Sequence, residues 1–154
     1  MSAQDQTDRA GLLAQSCAER MWDDDHASQH LGMRIESIAP GRAVLSMEVR
    51  EFMVNGHGLC HGGYVFLLAD SAFAFACNTY NRVTVAQAAK IDFLRPALDG
   101  DCLRAEAREL SQGSRTGVYD VEVTRGDGKL IACFRGNSFS SDRPLVSDEE
   151  EMEP

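Results

Sequence analysis

Apolar residues recur along this chain in short alternating runs, interrupted by one long block that is apolar throughout. Ala10 to Trp22 places Leu12, Leu13, Cys17, Met21 and Trp22 at roughly helical spacing before the polar run Asp23 to His26, which predicts a short N-terminal helix. Two segments then alternate about the turn pair Pro40-Gly41. In the second, Ala43, Leu45, Met47 and Val49 face one way and Arg42, Ser46, Glu48 and Arg50 the other, with Val44 out of pattern. A half-buried hairpin is expected there. Val83 to Leu94, closed by Pro96, reads as a further strand. Leu103, Ala105 and Ala107 alternate with Arg104, Glu106 and Arg108, and Tyr119, Val121 and Val123 with Asp120, Glu122 and Thr124. Asp127-Gly128 predicts a primed hairpin turn, with Leu130 to Ser140 as the return strand.

The apolar block predicts a helix over about residues 62–80. From Tyr64 to Cys77 its only polar side chains are Asp70 and Ser71, so every face must be covered by sheet or by another subunit. It is too short, and too interrupted by Asp70, to span a membrane. The order is helix, two strands, buried helix, four strands. One curved antiparallel sheet around a central helix packs that order most simply, an α+β arrangement.

At 154 residues and 44 % apolar composition the chain can bury one core without cross-links. Its five cysteines are odd in number and lack the close pairing of zinc ligands or of a secreted framework, and the N-terminus shows no export signal, so a cytoplasmic protein with reduced thiols is expected. The net charge of −9 is concentrated at the ends, and residues 27–141 balance 12 acidic against 12 basic residues. A local site for a phosphorylated ligand therefore remains open, whereas no basic stripe with interleaved aromatics points to nucleic acid. The organisation expected is an N-terminal segment (1–26), a single domain (27–141) and an acidic, disordered tail (142–154).

Asp70 is the anomaly, because a carboxylate amid apolar residues needs either a partner or a task. A structural pairing with backbone groups or an arginine is one reading. The other comes from the segment before it, Met53 to Gly63, a glycine-rich polar loop that feeds straight into the helix. Unpaired amides at a helix start can hold a carbonyl oxygen as it becomes an oxyanion, and Gly62 N–H is the candidate donor. His61 to Asp70 spans nine residues, about 13 Å of helix, too far for one chain's loop and Asp70 to share one reacting carbon. A homodimer whose sites combine the loop of one subunit with Asp70 of the other is expected.

Asn55-Gly56-His57, Cys60-His61-Gly62-Gly63, Leu68-Ala69-Asp70, Ile91 to Pro96, Thr116 to Asp120 and Phe134-Arg135-Gly136 resemble the PaaI-type phenylacetate-degradation thioesterases of the hot-dog superfamily, over about residues 31–140. The resemblance implies a six-stranded antiparallel sheet wrapped around a long helix, and dimers that pair into tetramers with sites at the dimer interface. It implies Asp70 as nucleophile or general base, Gly62 N–H as oxyanion donor, Asn55 as the group placing the carbonyl or water, and His61 as support of the loop. It also implies phenylacetyl-CoA or a ring-hydroxylated form as substrate, with no metal and no cofactor beyond the CoA ester. Gly63, Arg95, Phe73 and the turn Ser114-Arg115-Thr116 are the candidate substrate and CoA contacts. Three rivals remain: a Cys60 thiolate nucleophile beside His61, a hydratase or dehydratase pairing His57 or His61 with Asp70, and a non-catalytic acyl-CoA-binding module.

Overall fold

The computed structural model describes residues 2–147, and nothing below concerns the others. Six strands, β1 (Arg34–Ala39), β2 (Arg42–Glu48), β3 (Thr84–Phe93), β4 (Cys102–Gln112), β5 (Thr116–Arg125) and β6 (Leu130–Ser140), form one antiparallel sheet in the order β1-β2-β4-β5-β6-β3. The sheet curves around α3 (Gly62–Cys77) as the patterning predicts, and α1 (Ala3–Asp24) and α2 (His26–His30) precede it. The α+β fold of the sequence reading is the observed one.

Inward positions alternate as expected: Ala43, Leu45 and Met47 of β2, Leu103, Ala105 and Ala107 of β4, and Tyr119, Val121 and Val123 of β5 are all buried. Against them α3 presents Leu68, Ala69, Ala72, Phe73 and Ala76, and Phe73 packs its ring on Tyr119 and Phe134 at centroid distances of 5.6 and 5.8 Å. Gly136 of β6 permits this, since a Cβ there would stand 2.8 Å from the Phe73 ring. Asn78 ties the helix end to β3: its amide donates to the Ala74 and Thr84 carbonyls and its Oδ1 accepts from Thr84 N–H, each at 2.9 Å. Val44 is the exception the pattern left. It faces outward opposite Glu106 yet is 1 % exposed, on the side of the sheet where Arg42, Arg104 and Arg108 converge on the Glu106 carboxylate.

Three expectations are corrected. The N-terminal helix is long, with Ser2 and Asp5 closing a capping box ahead of Ala3–Asp24. It is docked on the fold through Trp22 against Phe75, while Ser28 of α2 shares a 2.8 Å hydrogen bond with Ser71 of α3. The tail does not begin at Asp142, for Asn81 Oδ1 accepts from Leu145 and Val146 N–H and Val146 is buried. Of the expected disordered tail, residues 148–154 lie outside the described residues. Finally, the β5–β6 hairpin is not a primed turn: Gly128 alone has positive φ (82°) and the Gly128 N–H bonds Arg125 C=O, a type I turn closed by a glycine bulge.

Candidate active site

α3 begins at His61, whose extended backbone (φ −59°, ψ 132°) feeds the helix from the loop. Its Nδ1 accepts from Gly63 N–H at 2.9 Å, and its carbonyl accepts from Tyr64 N–H at 3.0 Å. Of the first three amides, only Gly62 N–H has no acceptor among the described residues. The predicted oxyanion donor is thus the amide left free, at the positive end of the helix dipole. The N–H of Gly63, a candidate substrate contact, is spent on the cap. His61 is a cap by geometry. With Nδ1 accepting, it is the tautomer protonated at Nε2.

Asn55 holds the loop closed. Its Oδ1 accepts from His57 N–H at 2.9 Å and Leu59 N–H at 3.2 Å, and its backbone N–H bonds Leu59 C=O. Only its side-chain NH₂ remains for a ligand. Asn55, Leu59, Cys60, Gly62, Phe93 and Arg95 line an open cleft of about 500 Å³ at the helix start, so the structure brings together three of the predicted residues there. Arg95 also donates to the Leu130 carbonyl at 2.8 Å. Phe52 and Tyr64 meet edge to face nearby, with centroids 6.0 Å apart.

Asp70 is elsewhere. Beyond the first turn of α3 the residues that keep some exposure, Phe66, Leu67, Asp70 and Ala74, recur at three- and four-residue spacing and form a single stripe, while the other residues are buried against the sheet, α1 and α2. On that stripe Asp70 has no hydrogen-bond or ion-pair partner among the described residues, and burial pushes its carboxyl above the ordinary aspartate value. The structural pairing weighed for Asp70 is absent from the described residues. Gly62 and Asp70 are eight residues and about 12 Å apart along the helix, so one chain does not bring both to one carbon.

The turn Ser114-Arg115-Thr116 lies at the opposite end of α3, where Arg82 donates to the Ser114 carbonyl at 2.6 Å and Arg115 pairs with Asp142 at 2.6 Å. Phe73 is corrected as a pocket residue: it is 1 % exposed and fills the core. Cys60 has the wrong environment for a nucleophile. Burial, and then the Asp101 charge, push its thiol up, and His61 Nδ1 is already occupied. The same occupied Nδ1 removes the basic nitrogen that a hydratase pairing of His61 would need.

A family model described as the thioesterase superfamily matches residues 57–132, the stretch that carries the loop, α3 and the strands around it. The acyl-coenzyme A thioesterase PaaI of Escherichia coli is 48 % identical over 121 residues, 79 % of this chain and 86 % of that protein. The chain belongs to the thioesterase superfamily. Its solved relatives agree. The structure of the E. coli PaaI protein from the phenylacetic acid degradation operon superposes with a TM-score of 0.86 at 44 % identity, over 87 % of this chain and 97 % of that one. A variant of the phenylacetic acid degradation protein PaaI from Thermus thermophilus superposes with a TM-score of 0.71 at 42 % identity, over 73 % of this chain and 96 % of that one. This superfamily member is a thioester hydrolase with the hot-dog fold, and no helix among its described residues is long and apolar enough to cross a membrane.

Proposed function

We propose that the protein hydrolyses aryl-acyl-CoA esters of the phenylacetyl class to the free acid and CoA, in a site shared between two chains. The observation that carries this reading is Asp70, a half-buried carboxylate without a partner among the described residues, on the stripe of α3 that keeps some exposure. The exposed edge of β3 supports a partner. This strand of ten residues is bonded to β6 on one side only, and Val85, Phe93 and Leu94 on or beside it are more than half exposed. A long apolar edge of this kind invites pairing. Antiparallel pairing of β3 with β3 of a second copy about a two-fold axis sets the two α3 helices side by side in opposite directions, so that the Gly62 amide of one approaches Asp70 of the other.

In that site Gly62 N–H takes the carbonyl oxygen of the thioester as negative charge develops on it. The Asp70 carboxylate, made more basic by desolvation, either takes a proton from the water that attacks the carbonyl carbon or attacks that carbon itself, expelling thiolate to form an anhydride that water then hydrolyses to restore the carboxylate. Thiolate leaves without a strong acid, and both routes end in the free acid and CoA thiol. The Asn55 NH₂ is the group of the loop still able to orient the carbonyl or the water. The cleft beside Gly62 suits the pantetheine arm, with Arg95 as the cation at its side, because Arg115 is already paired with Asp142. The aryl preference accords with the phenylacetic acid degradation proteins it is similar to.

The test is free-thiol release from phenylacetyl-CoA. Wild-type protein turns it over, and Asp70→Asn lowers kcat by about a thousandfold or more. Stoichiometric binding of phenylacetyl-CoA with no thiol release over hours refutes the reading in favour of a binding module.

A further inference from the structure

Three times in this chain an asparagine or aspartate precedes a glycine: Asn55-Gly56, Asp99-Gly100 and Asp127-Gly128. At such a pair the glycine amide nitrogen, unhindered by a Cβ, can attack the side-chain carbonyl before it. Two of the three pairs are closed to this reaction. Gly100 N–H is bonded to the Val49 carbonyl and Gly128 N–H to the Arg125 carbonyl, each at 2.8 Å, and in both pairs an ionised carboxylate is a poor electrophile. Gly56 N–H has no acceptor among the described residues, and the side chain before it is an amide.

The Asn55 side chain is held ready for that attack. Its Oδ1 accepts from His57 N–H at 2.9 Å and Leu59 N–H at 3.2 Å, two donors that stabilise the oxygen as it gains negative charge. Its NH₂, the group that must leave, has no partner among the described residues. The bond to His57 N–H, two residues on, closes an Asx turn whose ring contains the Gly56 nitrogen and draws Cγ toward it. Asn55 is partly buried and Gly56 exposed, so water reaches the pair. The other asparagines are protected: Asn78 is buried with its amide bonded to the Ala74 and Thr84 carbonyls, Asn81 accepts from Leu145 and Val146 N–H, Asn137 lies within β6, and none of them precedes glycine. Nor does the fold require glycine at 56. Its φ is outside the left-handed region and a Cβ there would meet nothing within 4 Å, whereas Gly58 in the same loop has a φ of 74°.

We propose that Asn55 is a site of spontaneous deamidation that retires the active site as the protein ages. The Gly56 nitrogen gives its proton to a base in solution and bonds to Asn55 Cγ, and the side-chain nitrogen leaves as ammonia. Water then opens the cyclic imide, at Cγ to give aspartate or at the main-chain carbonyl to give isoaspartate. The net change consumes one water and releases one ammonia. An aspartate keeps both turn bonds as an acceptor, but it has no NH₂ to offer a carbonyl or a water and sets a negative charge beside the oxyanion expected at Gly62. The effect on turnover rests on the part given to Asn55 in the proposed reaction; the modification does not.

The experiment ages the full-length protein at mildly alkaline pH, where the amide proton is lost more readily, and follows each asparagine by peptide mapping alongside thiol release from phenylacetyl-CoA. In wild-type protein the acid appears at Asn55 ahead of Asn78, Asn81 and Asn137, ammonia is released, and turnover decays at the same rate. Gly56→Ala begins with the wild-type turnover and melting temperature, and both changes slow by about tenfold or more, because its Cβ crowds the attacking nitrogen. Asn55→Asp, made directly, still folds, with a cooperative melt, and turns over about a hundredfold more slowly. An Asn55 that stays an amide while another asparagine converts, or a Gly56→Ala protein that ages as fast as wild type, overturns the proposal. Conversion at Asn55 with turnover intact overturns the retirement of the site and the part given to Asn55, while the reading of Asp70 stands. Fresh protein that releases no thiol overturns the thioesterase reading and the retirement with it, and the mapping still decides the modification.

Discussion

Asp70 is held in a state that costs stability. Burial raises its carboxyl above the ordinary value of 3.8, so the folded protein binds a proton more tightly than the unfolded chain. Stability is therefore lost as pH rises from 3.8 through the raised value, and the penalty is complete above it. Asp70→Asn should raise the melting temperature at neutral pH, and the difference should close below about pH 3.8, which thermal scans across pH will check. In the proposed reaction the carboxylate is the reacting form, so the acid limb of the kcat/KM profile should lie above the ordinary aspartate range and disappear with the Asn variant. The prominence of Asp70 and Gly62 was legible in the sequence, since both follow from a carboxylate and a glycine-rich helix start in an apolar block. What His61 does was less so: an imidazole beside a cysteine permits several roles, and only the 2.9 Å bond from Gly63 N–H selects the cap.

Among the elements, β2, β4 and β5 alternate so strictly that their inner faces could be read directly, and α3 could be read from its lack of a polar face. Phe73 could not be placed by pattern, because an aromatic in a helix apolar all round carries no direction of its own. The structure puts it on Gly136, between Tyr119 and Phe134, and Phe73→Ala should cost about 3–5 kcal/mol in denaturant unfolding. The capping box at Ser2 and Asp5 extends α1 through a polar stretch that periodicity alone does not detect. On the outer face, burial tends to raise Glu106, but hydrogen bonds from Arg42, Arg104 and Arg108 outweigh it and hold the carboxyl at about 2. A depressed carboxyl contributes stability above its unfolded value that is lost as pH falls through the folded one. Glu106→Gln should cost about 1–2 kcal/mol at neutral pH, a loss that fades between about 4.5 and about 2.

At the scale of the whole molecule, one chain carries Gly62 and Asp70 about 12 Å apart on α3 and, among the described residues, a strand edge bonded on one side only, the two halves of the proposed shared site and its recruiting edge. The expectation of a second copy follows from helix rise alone, whereas the edge that would recruit it depends on strand order, which pattern does not reveal. Ala89→Pro on β3 should weaken that pairing and shift the protein toward monomer in sedimentation, with loss of turnover. The most direct measurement mixes two dead proteins. Asp70→Asn removes the carboxylate, and Gly62→Pro removes the N–H where proline suits the first helical position and the extended His61 before it, its added Cβ displacing only the ring end of the exposed Phe93. After unfolding and refolding together in equal amounts, half the dimers are mixed and each has one intact site, so thiol release should recover to about a quarter of the wild-type rate. Recovery near that level supports a site shared between chains, and a mixture as inactive as its two components contradicts it.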